Sequence, residues 1–188
     1  MKLYLEDFHN FCAKLGGETA DVMCGLLRAR ADRGAINITL NSFGTPLNDP
    51  TLRDTQRKRL YPSIGDMYPA GTELLSRVDD DAKLVEALKS FTEYHAIFDK
   101  FSNMSSEEFS IDDEFYRKEV RLYELAFESQ MHFGVFYAYV KLKEQEIRNL
   151  VWITECILQR RKDQINNFIP GEFTIKISFI SKTVVTHR

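Results

Sequence analysis

Phe133-Gly134-Val135-Phe136-Tyr137-Ala138-Tyr139-Val140-Lys141-Leu142-Lys143-Glu144-Gln145-Glu146-Ile147-Arg148-Asn149-Leu150-Val151-Trp152-Ile153-Thr154-Glu155-Cys156-Ile157 reads as one uninterrupted helix. After Gly134 no glycine or proline occurs until Pro170, so nothing in the run breaks a helix. At about 100° per residue, Phe133, Phe136, Val140, Ile147, Leu150, Val151 and Leu158 fall on one side. Leu142 and Ile153 lie on another side. A helix apolar on more than one face is expected to be buried between neighbours.

A polar stripe runs between those faces. Lys141, Glu144, Arg148, Trp152 and Glu155 are three or four residues apart and share an edge. Glu144 is placed to pair with Arg148, and the Arg148 guanidinium to lie against the Trp152 ring. The stripe reads either as an intramolecular ion pair fixing helix register or as a docking edge for another protein of an assembly. Trp152 reads as a core residue or, with Tyr137 and Tyr139, as an aromatic interface anchor.

The run Phe133–Asn149 resembles the signature of the subunit d family of vacuolar-type (V-type) proton-translocating ATPases, a membrane-sector family with a related counterpart in archaeal-type ATPases. Two further stretches carry the resemblance. Tyr4-Leu5-Glu6-Asp7-Phe8, Phe11-Cys12, Leu15-Gly16-Gly17, Thr19-Ala20 and Met23 form one. Ala31-Asp32-Arg33 with Ile38-Thr39-Leu40-Asn41-Ser42-Phe43-Gly44-Thr45 forms the other. The resemblance runs from about Tyr4 to Pro170. It implies an all-α fold of pseudo-repeated helical units, here incomplete, with about the first half of the usual family member expected to be missing. It also implies a non-catalytic rotor adaptor without cofactor or metal. Such an adaptor lies at the cytoplasmic face of acidic-organelle membranes, between the proteolipid rotor ring and the central-stalk subunits. Lys141, Glu144, Arg148, Asn149, Trp152 and Glu155 would then mark the coupling helix.

With 188 residues and 44% apolar content the chain is long enough to bury a core. A net charge of −3 gives no basis for nucleic-acid or anionic-membrane binding. Cys12, Cys24 and Cys156 have no CxxC or zinc-type spacing, which fits a reducing compartment. The longest strongly apolar stretch without Asp, Glu, Lys or Arg, Ser129 to Val140, is short of the roughly 20 residues a membrane helix needs.

In chain order, Leu3, Tyr4, Phe8, Phe11, Cys12 and Leu15 predict an opening helix that Gly16-Gly17 ends. Leu3, Tyr4, Phe8 and Phe11 are expected to form an exposed apolar patch. Glu18 to Phe43 reads as a helix, with a kink possible at Gly34 and a solvated basic cluster of Arg28, Arg30 and Arg33 around Asp32. A breaker-rich segment from Gly44 to Gly71 contains Asn48-Asp49-Pro50-Thr51, which reads as a surface insertion, and a short helix around Thr51–Leu60. Short helices are predicted over Thr72–Val78, Asp81–Lys89 and Tyr94–Phe101, with Asp79-Asp80-Asp81 capping the second. Ser102–Ser110 is a polar loop, and Asp112–Met131 a helix whose Glu119, Arg121, Glu124 and Glu128 read as solvated. Residues 1–170 thus form the family domain. The tail 171–188 alternates with strand periodicity over Gly171–Lys182 and is expected to be irregular or disordered, either foreign to the fold or a lineage-specific edge strand.

No motif carries chemistry. His9, His95, His132 and His187 form no HxxxH or HExxH pair, and no Walker, GxGxxG or GxSxG pattern occurs. Cys156 reads as a small packed residue and His132 as a hydrogen-bonded structural one. Two other readings are a stand-alone helical interaction module and an enzyme assembled from Asp112, Asp113, Glu114 and His132.

Overall fold

Leu5 and Cys12 are two helical turns apart, so the helix that carries them buries one stripe only. In the computed structural model, which describes residues 1–91, 94, 111–129, 131–161 and 164–165, this is α1 (Lys2–Leu15). Gly16 (φ 70°) and Gly17 (φ 60°) take the left-handed backbone that stops α1 and starts α2 (Gly17–Ser42) at once. The two helices pack on each other. α2 runs unbroken through Gly34 and buries Met23, Leu27, Ala31, Ala35 and Ile36. Away from α2, Leu3, Tyr4 and Phe11 are exposed as expected, whereas Phe8 is half-buried and stacks on Tyr4 at 5.8 Å.

The chain divides into two compact units, Met1–Tyr116 and Arg117–Arg188. The first continues from α2 through a 3-10 turn (Pro46–Asn48) into α3 (Pro50–Leu52), a π-helical turn (Arg53–Arg57) and α4 (Lys58–Leu60). α5 (Ala70–Arg77), α6 (Asp81–Leu88) and the first turns of α7 (Ile111–Ser129) complete it. Its core joins Ile36, Tyr61, Met67, Leu75, Leu84 and Leu88 with Tyr94 and Phe115. Asp80 caps α6, its carboxylate accepting from the Lys83 amide at 2.7 Å. Asp79 instead pairs with Lys83 and Arg53. Asp80→Ala should therefore cost about 1 kcal/mol, read as a lower urea midpoint at unchanged slope.

In the second unit α7 continues, and a bend at 131–133 precedes α8 (Gly134–Leu158). Ring contacts of Tyr123 with Tyr137 (6.0 Å) and of Phe127 with Tyr139 (6.2 Å) join the two helices. Contrary to expectation, Glu119 and Glu124 are buried: Glu119 accepts a hydrogen bond from the Tyr123 hydroxyl, and Glu124 pairs with the exposed Arg121. At the end of α8 Arg160 (φ 57°) reverses the chain, and the Arg161 amide donates to the Cys156 carbonyl at 2.9 Å. Ile165 then packs with Ile153 and Cys156.

The described residues are mostly helical, with no strand among them. No helix among them is long and apolar enough to cross a membrane. The expected helix Tyr94–Phe101 beyond Tyr94 itself, the Ser102–Ser110 loop and the 171–188 tail lie outside the described residues.

Candidate docking helix

α8 is apolar on two opposite sides, but only one of them is covered. Ala138, Leu142, Gln145, Asn149, Ile153 and Cys156 recur every three or four residues and are buried. The face that the sequence marks as most apolar is the open one. Phe136 is 70% exposed, Ile147 61% and Leu158 76%, with Phe133, Val140, Leu150 and Val151 also exposed. The expectation of a helix buried between neighbours is thus corrected: the weaker apolar stripe packs inward and tolerates two amides. Gln145 Nε2 donates to Asn149 Oδ1 at 2.7 Å, so each amide meets part of the other's need for a partner. Gln145 Oε1 has no partner among the described residues.

The polar stripe lies on the flank between these sides. Glu144 and Arg148 do not pair; Glu144 accepts from Lys141 Nζ at 2.7 Å, one turn back. Lys141 also stands 5.7 Å from the Tyr137 ring. On the other flank the bond to Glu146 raises the Lys143 ammonium above its usual value. Arg148 and Glu155 are exposed. Trp152 is not a core residue: it is 38% exposed, and its Nε1 donates to the Gln164 carbonyl at 3.1 Å, pinning the returning chain. Of the six residues marked in the sequence, Lys141, Glu144, Arg148, Trp152 and Glu155 share this flank, and Asn149 alone points inward.

Other predicted features resolve differently. Cys156 packs as a small apolar residue. His132 is buried, yet neither ring nitrogen has a hydrogen-bond partner among the described residues, against the expectation of a bonded histidine. Asp113 and Glu114 fall in the first unit and His132 in the second, and the Asp112 side chain is outside the description. Among the described residues no three His, Cys, Asp or Glu side chains sit together as a metal site would need.

Two charged residues of the first unit carry more than the sequence discloses. Arg57, in the run Arg53 to Arg59, is fully buried. Its guanidinium donates to the carbonyls of Leu75 (2.8 Å), Ser76 (2.9 Å) and Val78 (2.6 Å), and to Ser42 Oγ (2.7 Å). It thus ties the C-terminal carbonyls of α5, where the helix dipole favours a cation, to the end of α2. Burial lowers its pKa from the usual arginine value. Asp32, read as part of a solvated cluster, is 1% exposed and grips the turn at 65–67. Arg28 pairs with Asp66 at 2.7 Å, and Arg33 lies 4.3 Å above the Tyr116 ring. A lone acid among arginines looks like an exposed ion pair in sequence, and nothing local reveals that its partners are two backbone amides some 34 positions on.

The model of the family "ATP synthase (C/AC39) subunit" matches residues 1–168. The chain is 46% identical over 169 residues to V-type proton ATPase subunit d of Dictyostelium discoideum, covering 90% of this chain and 46% of that protein. It is 48% identical over 168 residues to V-type proton ATPase subunit d2 of Arabidopsis thaliana, covering 89% and 46%. Against V-type proton ATPase subunit d of Saccharomyces cerevisiae it is 38% identical over 169 residues, covering 89% and 46%. The chain spans about half the length of the curated relatives it matches.

Proposed function

The chain belongs to the ATP synthase (C/AC39) subunit family, and on that premise we propose that it acts as a non-catalytic rotor adaptor of a V-type proton pump. It couples central-stalk subunits to the proteolipid ring at the cytoplasmic face of acidic-organelle membranes. The observation that carries this reading is the 46% identity to a V-type proton ATPase subunit d across 90% of the chain. What an adaptor needs physically is rigid helices with satisfied charges and an open surface, and α8 supplies that surface. Its exposed apolar face gives buried area on docking, and the flank of Lys141, Glu144, Arg148, Trp152 and Glu155 gives a polar rim. Asn149, on the buried side, bonds within α8 to Gln145 and is not offered to the partner.

The test is purification of the proton pump from the organism's own acidic-organelle membranes, followed by peptide mass spectrometry. Peptides from Tyr4 to Pro170 should co-purify with ring and stalk subunits. Recovery of the chain only in a soluble complex lacking ring proteins would instead make it a stand-alone interaction module.

A further inference from the structure

Asp32 is a buried carboxylate without a cation. Its Oδ2 accepts from the Tyr94 hydroxyl at 2.8 Å and from the Asp66 amide at 3.1 Å, and its Oδ1 from the Met67 amide at 3.2 Å. All three donors are neutral, and among the described residues Asp32 has no ion-pair partner. The charge facing it from the turn is of the same sign: the Asp66 carboxylate, itself engaged by Arg28 at 2.7 Å. From α2, Arg28 turns to Asp66 and Arg33 to the Tyr116 ring. Among the described residues beyond α6, the group bonded to it is the Tyr94 hydroxyl. The backbone of the turn presses directly on the carboxylate, because a Cβ on Gly65 would stand 1.9 Å from Oδ1. Ionised, the group is a desolvated charge held by dipoles alone. Protonated, Oδ2 can donate to the Tyr94 oxygen while both amides keep their acceptors.

We propose that this contact is a proton-operated joint: uptake of a proton by Asp32 tightens the hold of α2 on the turn at 65–67, and loss of the proton loosens it. The proposal stands independently of the role assigned to α8. Burial raises the carboxyl from 3.8 to about 6, against the pull of its three donors. Because the group titrates higher in the fold than in the unfolded chain, its stabilisation is complete below 3.8 and is lost as pH rises through about 6. The working window is therefore mildly acidic to neutral.

Carbon-13 NMR of the Asp32 carboxyl in the unaltered chain tests this directly, together with hydrogen-exchange protection of the Asp66 and Met67 amides. The carboxyl should titrate near 6, and the two protection factors should fall about tenfold between pH 5 and 7.5, the share of the roughly hundredfold total of a two-unit shift that falls in that window. In Asp32→Asn the same protection factors should become independent of pH. A carboxyl that titrates below about 4.5 overturns the proposal. So does protection that stays flat in the unaltered chain, or a pH dependence that survives in a folded Asp32→Asn chain. Should that variant fail to fold, the titration of the unaltered chain decides alone.

Discussion

Arg57→Met lowers the unfolding free energy of the first unit by about 3–5 kcal/mol, comparable to breaking a buried charge network. Methionine fills much of the same volume, so the loss isolates the polar role of the guanidinium. Three carbonyls at the end of α5 and the Ser42 hydroxyl would each lose a buried donor, and of the carbonyls Leu75's keeps the Val78 amide at 3.3 Å. Arg57→Lys keeps the charge, but an ammonium lacks the planar fork that spans several acceptors, so it should recover less than half of the loss. Urea denaturation followed by far-ultraviolet circular dichroism reads both. Hydrogen exchange at α5 should show the largest local loss of protection. A methionine variant within about 1 kcal/mol of the parent would mean that water replaces the guanidinium at little cost.

Under the proposed adaptor role, changing Phe136→Asp and Ile147→Asp together should leave the fold intact and release the chain from the pump. Both side chains are mostly exposed, so surface substitution there should alter stability by about 0.5 kcal/mol or less each. A hot-spot anchor contributes about 2 kcal/mol or more, so losing two predicts a roughly thousandfold weaker association. Co-purification of the tagged double variant with ring and stalk subunits, against the unaltered chain, gives the readout. Undiminished co-purification would place the docking surface elsewhere. On the proposed docking through this flank, Arg148→Ala, which is exposed, should weaken association and change stability little.

The helices themselves were legible because their signals are local. Gly16-Gly17 stopped α1 where expected, Asp80 capped α6, and the Gly134-to-Pro170 stretch free of breakers produced one long α8. Which side of α8 faces inward was not legible. Its two sides compete, and summing hydrophobicity favours Phe136, Ile147 and Leu158 over a stripe containing Gln145 and Asn149. Burial is decided by shape and by neighbours, and two amides that bond to each other enter a core at modest cost. Arg57 and Asp32 were missed for a related reason. Periodicity treats a charge as solvent-facing, whereas these two are satisfied by backbone groups far along the chain. The family resemblance did not help there, because it names segments and not the partners of single side chains. For the marked flank residues, spacing placed five on one edge but paired Glu144 with the wrong neighbour.

The Gln145–Asn149 bond has a mechanical consequence. It joins two side chains one turn apart on the same helix, so it travels with α8 and braces the buried stripe from within. It does not lock α8 to a neighbour. Resistance to slippage under a twisting load then falls to close packing, because a shift of one turn, about 5.4 Å, would set every buried side chain of the stripe against a surface shaped for another.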